Sequence, residues 1–298
     1  MTAALSERVE IVRSNGLDHA VHRFEAAGLS PREPRRTIVI LHGFLDSART
    51  FELLAAPLVA AGFEVVAPDF RGFGLSGRVP PGGYYYFPDY VADLDGILRA
   101  LSPGRLFIVA HSMGGSVGSL FAGTRPDRVE KLAILEGLGP LSEPPATGVD
   151  RMRRWLSDLG RIERTPRSLA SMADAVDRLA VTHPRVDRDT LATRAERLVV
   201  RGENGALTWA WDPLHRSVSP IAFNAEVFAS FLKQISCPTL FLHGGPNGWH
   251  PPDEEERLSH IAKLERVEIA DAGHMMHWTK PTETAMALLS FFEAPLTQ

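Results

Sequence analysis

The sequence predicts an α/β fold in which a mostly parallel sheet is covered by helices on both faces. Short apolar runs rich in β-branched residues alternate with segments of helical spacing, and that alternation is typical of buried parallel strands. The alternation stops after residue 138 and resumes near residue 234. A chain of 298 residues allows one large domain, or one domain carrying an insertion.

The first half of the chain supplies most of the predicted strands. A hairpin is expected at the N-terminal end, with strands at 9–12 and 20–25 around Asn15–Gly16, a turn sequence typical of hairpins. Buried strands are predicted at 37–41, 63–67, 106–110 and 129–135. Helices are predicted at 49–61, 89–101 and 114–123. After residue 234 the predicted strands are 239–242 and 264–269, and the predicted helices are 253–261 and 283–292.

The middle of the chain has a different pattern. No buried strand is predicted between residues 139 and 233, where polar, arginine-rich segments have helical spacing at 149–159, 168–179 and 189–198. We interpret 139–233 as a helical cap inserted into a core formed by 1–138 and 234–298. The alternative is a set of ordinary surface helices on the main sheet, and the length of the segment favours a cap.

Composition and charge exclude several classes of function. The net charge of −4 and the pI near 6.3 give no basic excess for nucleic acid or an acidic membrane surface. No apolar run approaches the roughly 18 residues of a membrane span. The single cysteine, Cys237, excludes an internal disulfide bond, and the N-terminal residues lack a signal pattern. We therefore expect a cytoplasmic protein; its oligomeric state is not predicted.

The most informative stretch surrounds Ser112. Residues 110–114 (AHSMG) fit the pattern G-x-S-x-G, with Ala110 in the first glycine position, between a predicted strand and a predicted helix. The backbone reverses so sharply in this turn that large side chains two residues before or after the serine would collide. A serine in an ordinary strand-to-helix turn is the alternative, but the motifs elsewhere in the chain favour a nucleophile.

Four motifs in a fixed order extend this interpretation. They are residues 42–44 (HGF), 69–76 (DFRGFGLS), 110–114 (AHSMG) and 272–274 (AGH), each following a predicted strand. In these motifs the chain resembles the α/β-hydrolases that carry a cap, over nearly its whole length. Residues 136–140 (EGLGP) and 211–213 (WDP) further resemble the serine hydrolase-like members. The resemblance implies an α/β-hydrolase fold, with a mostly parallel eight-stranded sheet flanked by helices and an inserted helical cap, and carboxylic-ester hydrolase activity.

The resemblance also implies a nucleophile and a base. Ser112 is the expected nucleophile, and because an unassisted serine hydroxyl is weak, it needs a base. His274 matches the family's base on the loop after the last strand, where an imidazole can accept the serine proton and pass it to the leaving group. His277 is an alternative base, but the Gly273–His274 pair favours His274.

The acid of the triad is not at the position where most of the family carries it. Asn247 lies where an aspartate is expected after the penultimate strand, and a neutral amide cannot stabilise an imidazolium as a carboxylate does. Glu136, at the end of the strand that follows the Ser112 helix, is our preferred acid, since some members carry their acid there and ligands bind at that edge of the sheet. Asp253 is the alternative acid.

Further residues are expected to complete the site. The backbone N–H groups of Phe44 and Met113 are the predicted oxyanion hole. The substrate pocket is predicted to include His42 and Gly43 from the core and four aromatic residues of the cap, Trp155, Trp209, Trp211 and Phe223. Each of these aromatic residues could instead belong to the core of the cap.

No cofactor or metal is expected. Residues 72–77 satisfy G-x-G-x-x-G, but the prolines at 80 and 81 follow at once, so the glycines do not open the helix that a dinucleotide site requires. His274 and His277 lack the glutamate and the spacing of a zinc helix motif. The expected partner is a small-molecule substrate.

These observations favour a serine hydrolase that cleaves a small-molecule ester through a Ser-His-acid triad and an acyl-enzyme. Because position 247 lacks a carboxylate, the leading alternative of another class is a non-catalytic small-molecule receptor on the same fold. Perhydrolase and carbon–carbon bond hydrolase activities also remain open, since fold and triad are shared by many chemistries.

Overall fold

The computed structural model describes residues 5–28, 35–202 and 204–295, and its centre is an eight-stranded sheet. The strands of this sheet are β1 (Leu5–Ser14), β2 (Leu17–Ala26), β3 (Arg36–Leu41), β4 (Glu64–Pro68), β5 (Arg105–His111), β6 (Lys131–Leu135), β9 (Thr239–His243) and β10 (Leu264–Glu268). Their order across the sheet is β1-β2-β4-β3-β5-β6-β9-β10. A separate two-stranded sheet pairs β7 (Val199–Arg201) with β8 (Leu207–Trp209).

The large sheet is parallel except at one edge. β2 pairs antiparallel with both β1 and β4, and the other neighbours pair in parallel. The predicted hairpin is present: Ser14 pairs with Leu17 across a two-residue turn, in which Asn15 and Gly16 have φ values of 49° and 78°. Two consecutive positive φ values are typical of a type I′ turn, for which Asn-Gly is favoured.

Helices cover both faces of the sheet. The core helices are α1 (Glu52–Ala60), α2 (Phe87–Leu101), α3 (Met113–Thr124), α8 (Glu254–Ser259), α9 (Met276–Thr279) and α10 (Pro281–Glu293). Apolar residues of α2 and α3 pack on one face, with Val117 and Phe121 against the same cluster as Ile108 of β5. α1 and α10 pack on the other face, where Leu58 and Leu288 belong to one buried cluster. The α/β fold expected from the sequence is therefore confirmed.

Glycines allow α3 to lie unusually close to the sheet. A Cβ atom on Gly114 would lie 2.4 Å from the carbonyl oxygen of Leu41, and one on Gly115 would lie 2.5 Å from the Cα of Gly137. Both distances are too short for any other side chain, so the N-terminal turn of α3 can approach the ends of β3 and β6 only with glycine at these positions. This approach brings Ser112 to the carboxyl edge of the sheet.

The segment between β6 and β9 connects two neighbouring strands of the sheet. It contains α4 (Gly148–Arg161), α5 (Met172–Thr182), α6 (Arg188–Leu198), the small β7–β8 sheet and α7 (Ala225–Leu232). α4, α5 and α6 correspond to the three predicted helices, although α5 begins only at Met172, where the Ser171 side chain accepts a hydrogen bond from the Asp174 amide. The division of the chain into core and cap at residues 138 and 234 stays a prediction.

Two features of this segment were not expected. β7 and β8 are strands of only three residues, too short to produce a detectable alternation. α7 packs against α3 rather than over the site: a Cβ on Gly123 would lie 2.4 Å from the carbonyl oxygen of Phe231. Among the helices that the structure describes, none has the length and apolar character needed to cross a membrane.

Candidate active site

Ser112 occupies the tight turn between β5 and α3. Its backbone has φ 53° and ψ −118°, a conformation that costs a non-glycine residue about 1–3 kcal/mol. The Ser112 amide donates a hydrogen bond of 3.0 Å to the carbonyl of Leu135 at the end of β6, which holds the turn against the sheet. The strained turn projects the hydroxyl away from the sheet edge.

His274 lies on the loop between β10 and α9 and contacts two other predicted site residues. Its Nε2 is 3.0 Å from the Ser112 Oγ, and its Nδ1 is 2.8 Å from a carboxylate oxygen of Glu136. Because an ionised carboxylate only accepts hydrogen bonds, Nδ1 donates to Glu136 and Nε2 is left as the acceptor for the serine hydroxyl. The structure thus brings Ser112, His274 and Glu136 into one hydrogen-bonded chain.

Glu136 follows β6 directly and its carboxylate is buried. Besides the His274 imidazole, it accepts hydrogen bonds from the Gly244 amide at 2.6 Å and the Trp249 amide at 2.7 Å. Burial on its own raises the pKa of this carboxyl group, but the hydrogen bonds from His274 and the two amides outweigh burial and lower the pKa below its usual value. Glu136 is therefore ionised at neutral pH, and its carboxylate accepts three hydrogen bonds.

The loop after β9, residues 244–249, holds the carboxylate of Glu136 instead of supplying its own. A Cβ atom on Gly248 would lie 1.9 Å from the Glu136 Oε1, so only glycine leaves room for the carboxylate at that position. Asn247 ends a short 3-10 helix in the same loop. The alternative acid, Asp253, instead accepts a hydrogen bond of 2.8 Å from the Arg257 guanidinium.

The predicted oxyanion donors lie beside the nucleophile. Met113 is the first residue of α3, where the helix dipole favours negative charge, and Phe44 follows the loop that leaves β3. Within the described part of the chain neither amide donates a hydrogen bond, and both residues line the same cavity as Ser112 and His274. Free N–H groups next to a serine hydroxyl can stabilise a developing oxyanion, and the assignment of the oxyanion hole to these two amides stays a prediction.

A cavity of about 520 Å³ opens above Ser112. This volume is within the range of small-molecule sites, roughly 300–1,000 Å³. The core contributes mainly aromatic walls, and the segment between β6 and β9 contributes the cover. The residues on the core side are Phe44, Tyr84, Tyr85, Phe87, Tyr90, Met113, Ser116 and Trp249, and those of the cover are Trp155, Leu214, His215 and residues 217–220.

Of the residues expected to line the pocket, Trp155 does so and His42 and Gly43 do not. His42 is fully buried behind the oxyanion loop, where its Nε2 accepts a hydrogen bond of 2.9 Å from the Phe70 amide. Gly43 packs against the nucleophile turn: a Cβ atom there would lie 3.2 Å from that of Ser112. Both residues shape the loop that carries Phe44 and do not face the cavity.

The expectation that Trp209, Trp211 and Phe223 line this cavity also differs from the structure. The two tryptophans stack on each other with ring centroids 4.6 Å apart, and they line a separate surface depression. A backbone bridge between Trp211 and Phe73 fixes them there. Phe223 packs on Phe228, with its ring under the Arg257 guanidinium, and borders a neighbouring cavity.

Sequence reasoning missed His215 and Tyr85, which build one side of the cavity. The Tyr85 hydroxyl donates a hydrogen bond of 2.9 Å to Asp212, and His215 stacks between Tyr85 and Phe73 with centroid distances of 3.8 and 3.9 Å. Burial lowers the pKa of His215 to about 3, so its imidazole is neutral. The run of aromatic residues at 84–87 is the signal in the sequence that could have found Tyr85.

One group of described side chains has the composition of a metal site. The ligand atoms of Asp46, His111 and His277 all lie within 4.8 Å of one another, and all three residues are buried. Both imidazoles of this group already have a hydrogen-bond partner, because His277 Nε2 is 3.0 Å from the Asp46 carboxylate and His111 Nε2 is 2.9 Å from the carbonyl of His274. His277, the alternative base, thus pairs with Asp46 and not with Ser112.

Comparison with known proteins agrees with this fold. The family model described as alpha/beta hydrolase fold matches residues 36–281. A serine hydrolase-like protein of Dictyostelium discoideum is 27% identical over 96% of this chain and 81% of its own length. An sn-1-specific diacylglycerol lipase of Mus musculus is 28% identical over 85% of this chain and 80% of its own.

Solved structures agree as well. The crystal structure of a hypothetical protein from Pseudomonas aeruginosa PAO1 superposes with a TM-score of 0.83 at 25% identity, covering 96% of this chain and 99% of that one. The match to the family model spans most of the chain and includes Ser112, Glu136 and His274. The chain therefore belongs to the α/β hydrolase fold family.

Proposed function

We propose that this hydrolase-fold protein is a serine hydrolase that cleaves a small-molecule ester through an acyl-enzyme. The observation that carries the proposal is the continuous hydrogen-bonded chain of 3.0 and 2.8 Å from Ser112 through His274 to Glu136. It ends at an aromatic-walled cavity of about 520 Å³. A relative named as a diacylglycerol lipase agrees with an ester substrate.

In the first half-reaction His274 is the base. Its Nε2 accepts the proton of the Ser112 hydroxyl while Oγ attacks the ester carbonyl carbon, and the carbonyl oxygen takes the negative charge. The amides of Phe44 and Met113 donate hydrogen bonds to that oxygen. The imidazolium of His274 is stabilised by Glu136, and it then gives its proton to the leaving alkoxide, so that the ester C–O bond breaks.

The second half-reaction repeats these steps with water. His274 accepts a proton from a water molecule, whose oxygen attacks the carbonyl carbon of the acyl-enzyme. Collapse of the second tetrahedral intermediate returns the proton to the Ser112 Oγ and releases the carboxylic acid. Glu136 keeps the imidazole in one tautomer throughout, because its buried carboxylate accepts the Nδ1 proton.

The receptor alternative depended on a missing acid after the penultimate strand. The carboxylate of Glu136 occupies the loop in which that acid was expected, so the reason for preferring a receptor is removed. Perhydrolase and carbon–carbon bond hydrolase activities would use the same three side chains and are separated by a substrate panel. The cytoplasmic location stays a prediction.

The proposal is tested by labelling with a fluorophosphonate and by hydrolysis of p-nitrophenyl butyrate. The wild-type protein should react rapidly at Ser112, and Ser112→Ala should abolish labelling and lower kcat by about 10⁴-fold or more. Ser119→Ala is the matched control, because Ser119 lies on the same helix, is buried and does not line the cavity. Full activity of Ser112→Ala, or a wild-type protein that neither labels nor cleaves, contradicts the proposal.

A further inference from the structure

A second cavity, larger than the first, lies next to the cavity above Ser112. Its volume is about 830 Å³, and four residues, Phe87, Ser116, Pro140 and Ser219, line both cavities. Ser116 lies one helical turn after Ser112 and borders both cavities, so the second cavity begins within one helical turn of the nucleophile. The cavity above Ser112 is therefore adjacent to a second space that none of Ser112, His274 and Glu136 lines.

The second cavity is elongated along α3. Ser116, Leu120 and Thr124 are spaced four residues apart and form one face of that helix, and all three line the cavity. The eight residues from Ser116 to Thr124 correspond to roughly 12 Å at the helical rise. At the far end the ion pair between Arg125 and Asp95, 3.4 Å apart, faces the same space.

Between its two ends the cavity is bounded by hydrocarbon. Apolar residues of α2 and of the segment 221–231 form the walls on either side of α3. Two of them, Ile221 and Val227, have 72% and 56% of their surface exposed, which is high for large apolar side chains. Arg151, which also borders the cavity, is paired with Glu143 and does not present a free charge.

The position of His274 decides which part of an ester lies in this space. His274 must hand its proton to the leaving oxygen, so the leaving group lies against its ring. His274 lines the first cavity but is not among the walls of the second. The group that extends past Ser116, away from His274, is therefore the acyl part of the substrate.

We propose that the second cavity, which we name the acyl channel, binds the linear hydrocarbon chain of the acyl group during ester hydrolysis. This inference rests on the proposed function and gives its substrate class: esters of medium- and long-chain fatty acids. The apolar walls, the length along α3 and the border that this cavity shares with the cavity above Ser112 all suit an unbranched chain whose carbonyl carbon is held at the serine.

The first test is a series of p-nitrophenyl esters with unbranched acyl chains of two to twelve carbons. Burial of each added methylene in the channel is expected to raise kcat/KM by about fourfold beyond the butyrate, until the channel is filled. A kcat/KM that is highest for the acetate or the butyrate and falls with longer chains overturns the acyl channel and leaves the proposed ester hydrolase intact.

Filling the channel gives the second test. Ala92, an exposed residue of α2, lines the acyl channel, and Ala92→Trp should abolish the gain in kcat/KM for decanoyl and dodecanoyl esters while acetate hydrolysis is unchanged. Ala100→Trp is the matched control, because Ala100 is exposed on the same helix and lines neither cavity. Leu120→Trp fills the channel from the α3 wall and should act as Ala92→Trp does.

A binding measurement separates this inference from the hydrolytic proposal. Dodecanoate titrated calorimetrically into the wild-type protein should bind, and its affinity should fall at least tenfold in Ala92→Trp but not in Ala100→Trp. If dodecanoate binds in this way and no ester is cleaved, the channel stands and the hydrolase proposal fails. Binding that is absent, or insensitive to both channel-filling variants, overturns the channel.

Discussion

Two histidines that lie three residues apart in sequence, His274 and His277, each pair with a carboxylate. Only His274 contacts the nucleophile. His274 Nδ1 is 2.8 Å from Glu136, and His277 Nε2 is 3.0 Å from Asp46. Both carboxylates are buried, and both have a pKa below the usual value despite burial, because hydrogen bonds to the histidine outweigh it. By pairing alone the two histidines are equivalent.

They differ in what the other ring nitrogen faces. The His274 side chain is 32% exposed and its Nε2 points to the Ser112 hydroxyl. The His277 side chain is completely buried and stacks on Phe51 at 4.1 Å, and its Nδ1 has no partner among the described residues. Burial lowers the pKa of His277 although Asp46 opposes this. A base needs a substrate-facing nitrogen and an open path for protons as well as a carboxylate.

The largest expected effect separates the two histidines in catalysis. His274→Ala removes the base and should lower kcat for p-nitrophenyl butyrate by about 10⁶-fold. His277→Ala should leave kcat, expressed per folded molecule, within about an order of magnitude of wild type, because its ring does not contact Ser112. Equal losses of kcat in His274→Ala and His277→Ala would contradict the assignment of His274 alone as the base.

The next effect concerns the carboxylate of the active pair. Glu136→Gln keeps the shape but cannot stabilise the imidazolium, so kcat should fall by about 10⁴-fold with little change in KM. Asp253→Asn, at the alternative acid, should retain wild-type kcat because Asp253 is engaged by Arg257. If instead Asp253→Asn abolishes activity and Glu136→Gln does not, the acid is misassigned.

The buried pair should matter for stability. His277→Ala leaves the Asp46 carboxylate buried without its imidazole partner and should lower the free energy of unfolding by about 3 kcal/mol, measured by urea denaturation. His274→Ala, at a partly exposed side chain, should cost less. Adding Asp46→Asn to His277→Ala should recover part of the loss. A double variant that is less stable than the single one would argue against an unpaired charge as the cause.

The smallest expected effect is the acid sensitivity of buried, neutral histidines. His215, with a pKa of about 3 in the folded protein, does not take up a proton at pH 5, whereas the unfolded chain does so below pH 6.5. The unfolded state then binds more protons, so stability is lost as the pH falls, by about 2 kcal/mol at pH 5. His277, whose pKa is also lowered, contributes in the same direction.

Thermal unfolding between pH 7 and pH 5 measures this effect. His215→Phe keeps the ring stacked on Phe73 and Tyr85 but removes the titrating group, and its Tm should fall less than that of the wild type over this interval. An identical decrease in both proteins would assign the acid sensitivity to other residues.

Much of the fold and the centre of the site could be predicted from the sequence because each signal is local. β-branched apolar runs and turn glycines depend only on neighbouring residues. They predicted the parallel strands and the tight turn at Ser112. Glu136 could be singled out because a carboxylate directly after a buried strand is unusual and lies at the sheet edge where ligands bind. Its contact with His274 stays a structural observation that awaits the kinetic test.

Apart from Trp155, the residues of the cover that face the cavity could not be predicted, because their contacts connect residues far apart in sequence. Trp209 and Trp211 were expected in the pocket because they are large and aromatic, but the bridge from Trp211 to Phe73 places them elsewhere. His215 faces the cavity through stacking on Tyr85, a residue 130 positions earlier in the chain. α7 was missed although Asn224 caps it, accepting a hydrogen bond from the Val227 amide.

Gly248 has no side chain and so leaves space for the Glu136 carboxylate. Positions 136 and 248 therefore depend on each other, although one follows β6 and the other lies in the loop after β9. Any larger residue at 248 would displace the carboxylate, and a shorter side chain at 136 would leave the two amide donors of that loop unpaired. Substitution at either position should therefore also disturb the hydrogen bond between Glu136 and His274. Positions 136 and 248 are consequently expected to tolerate substitution only as a pair.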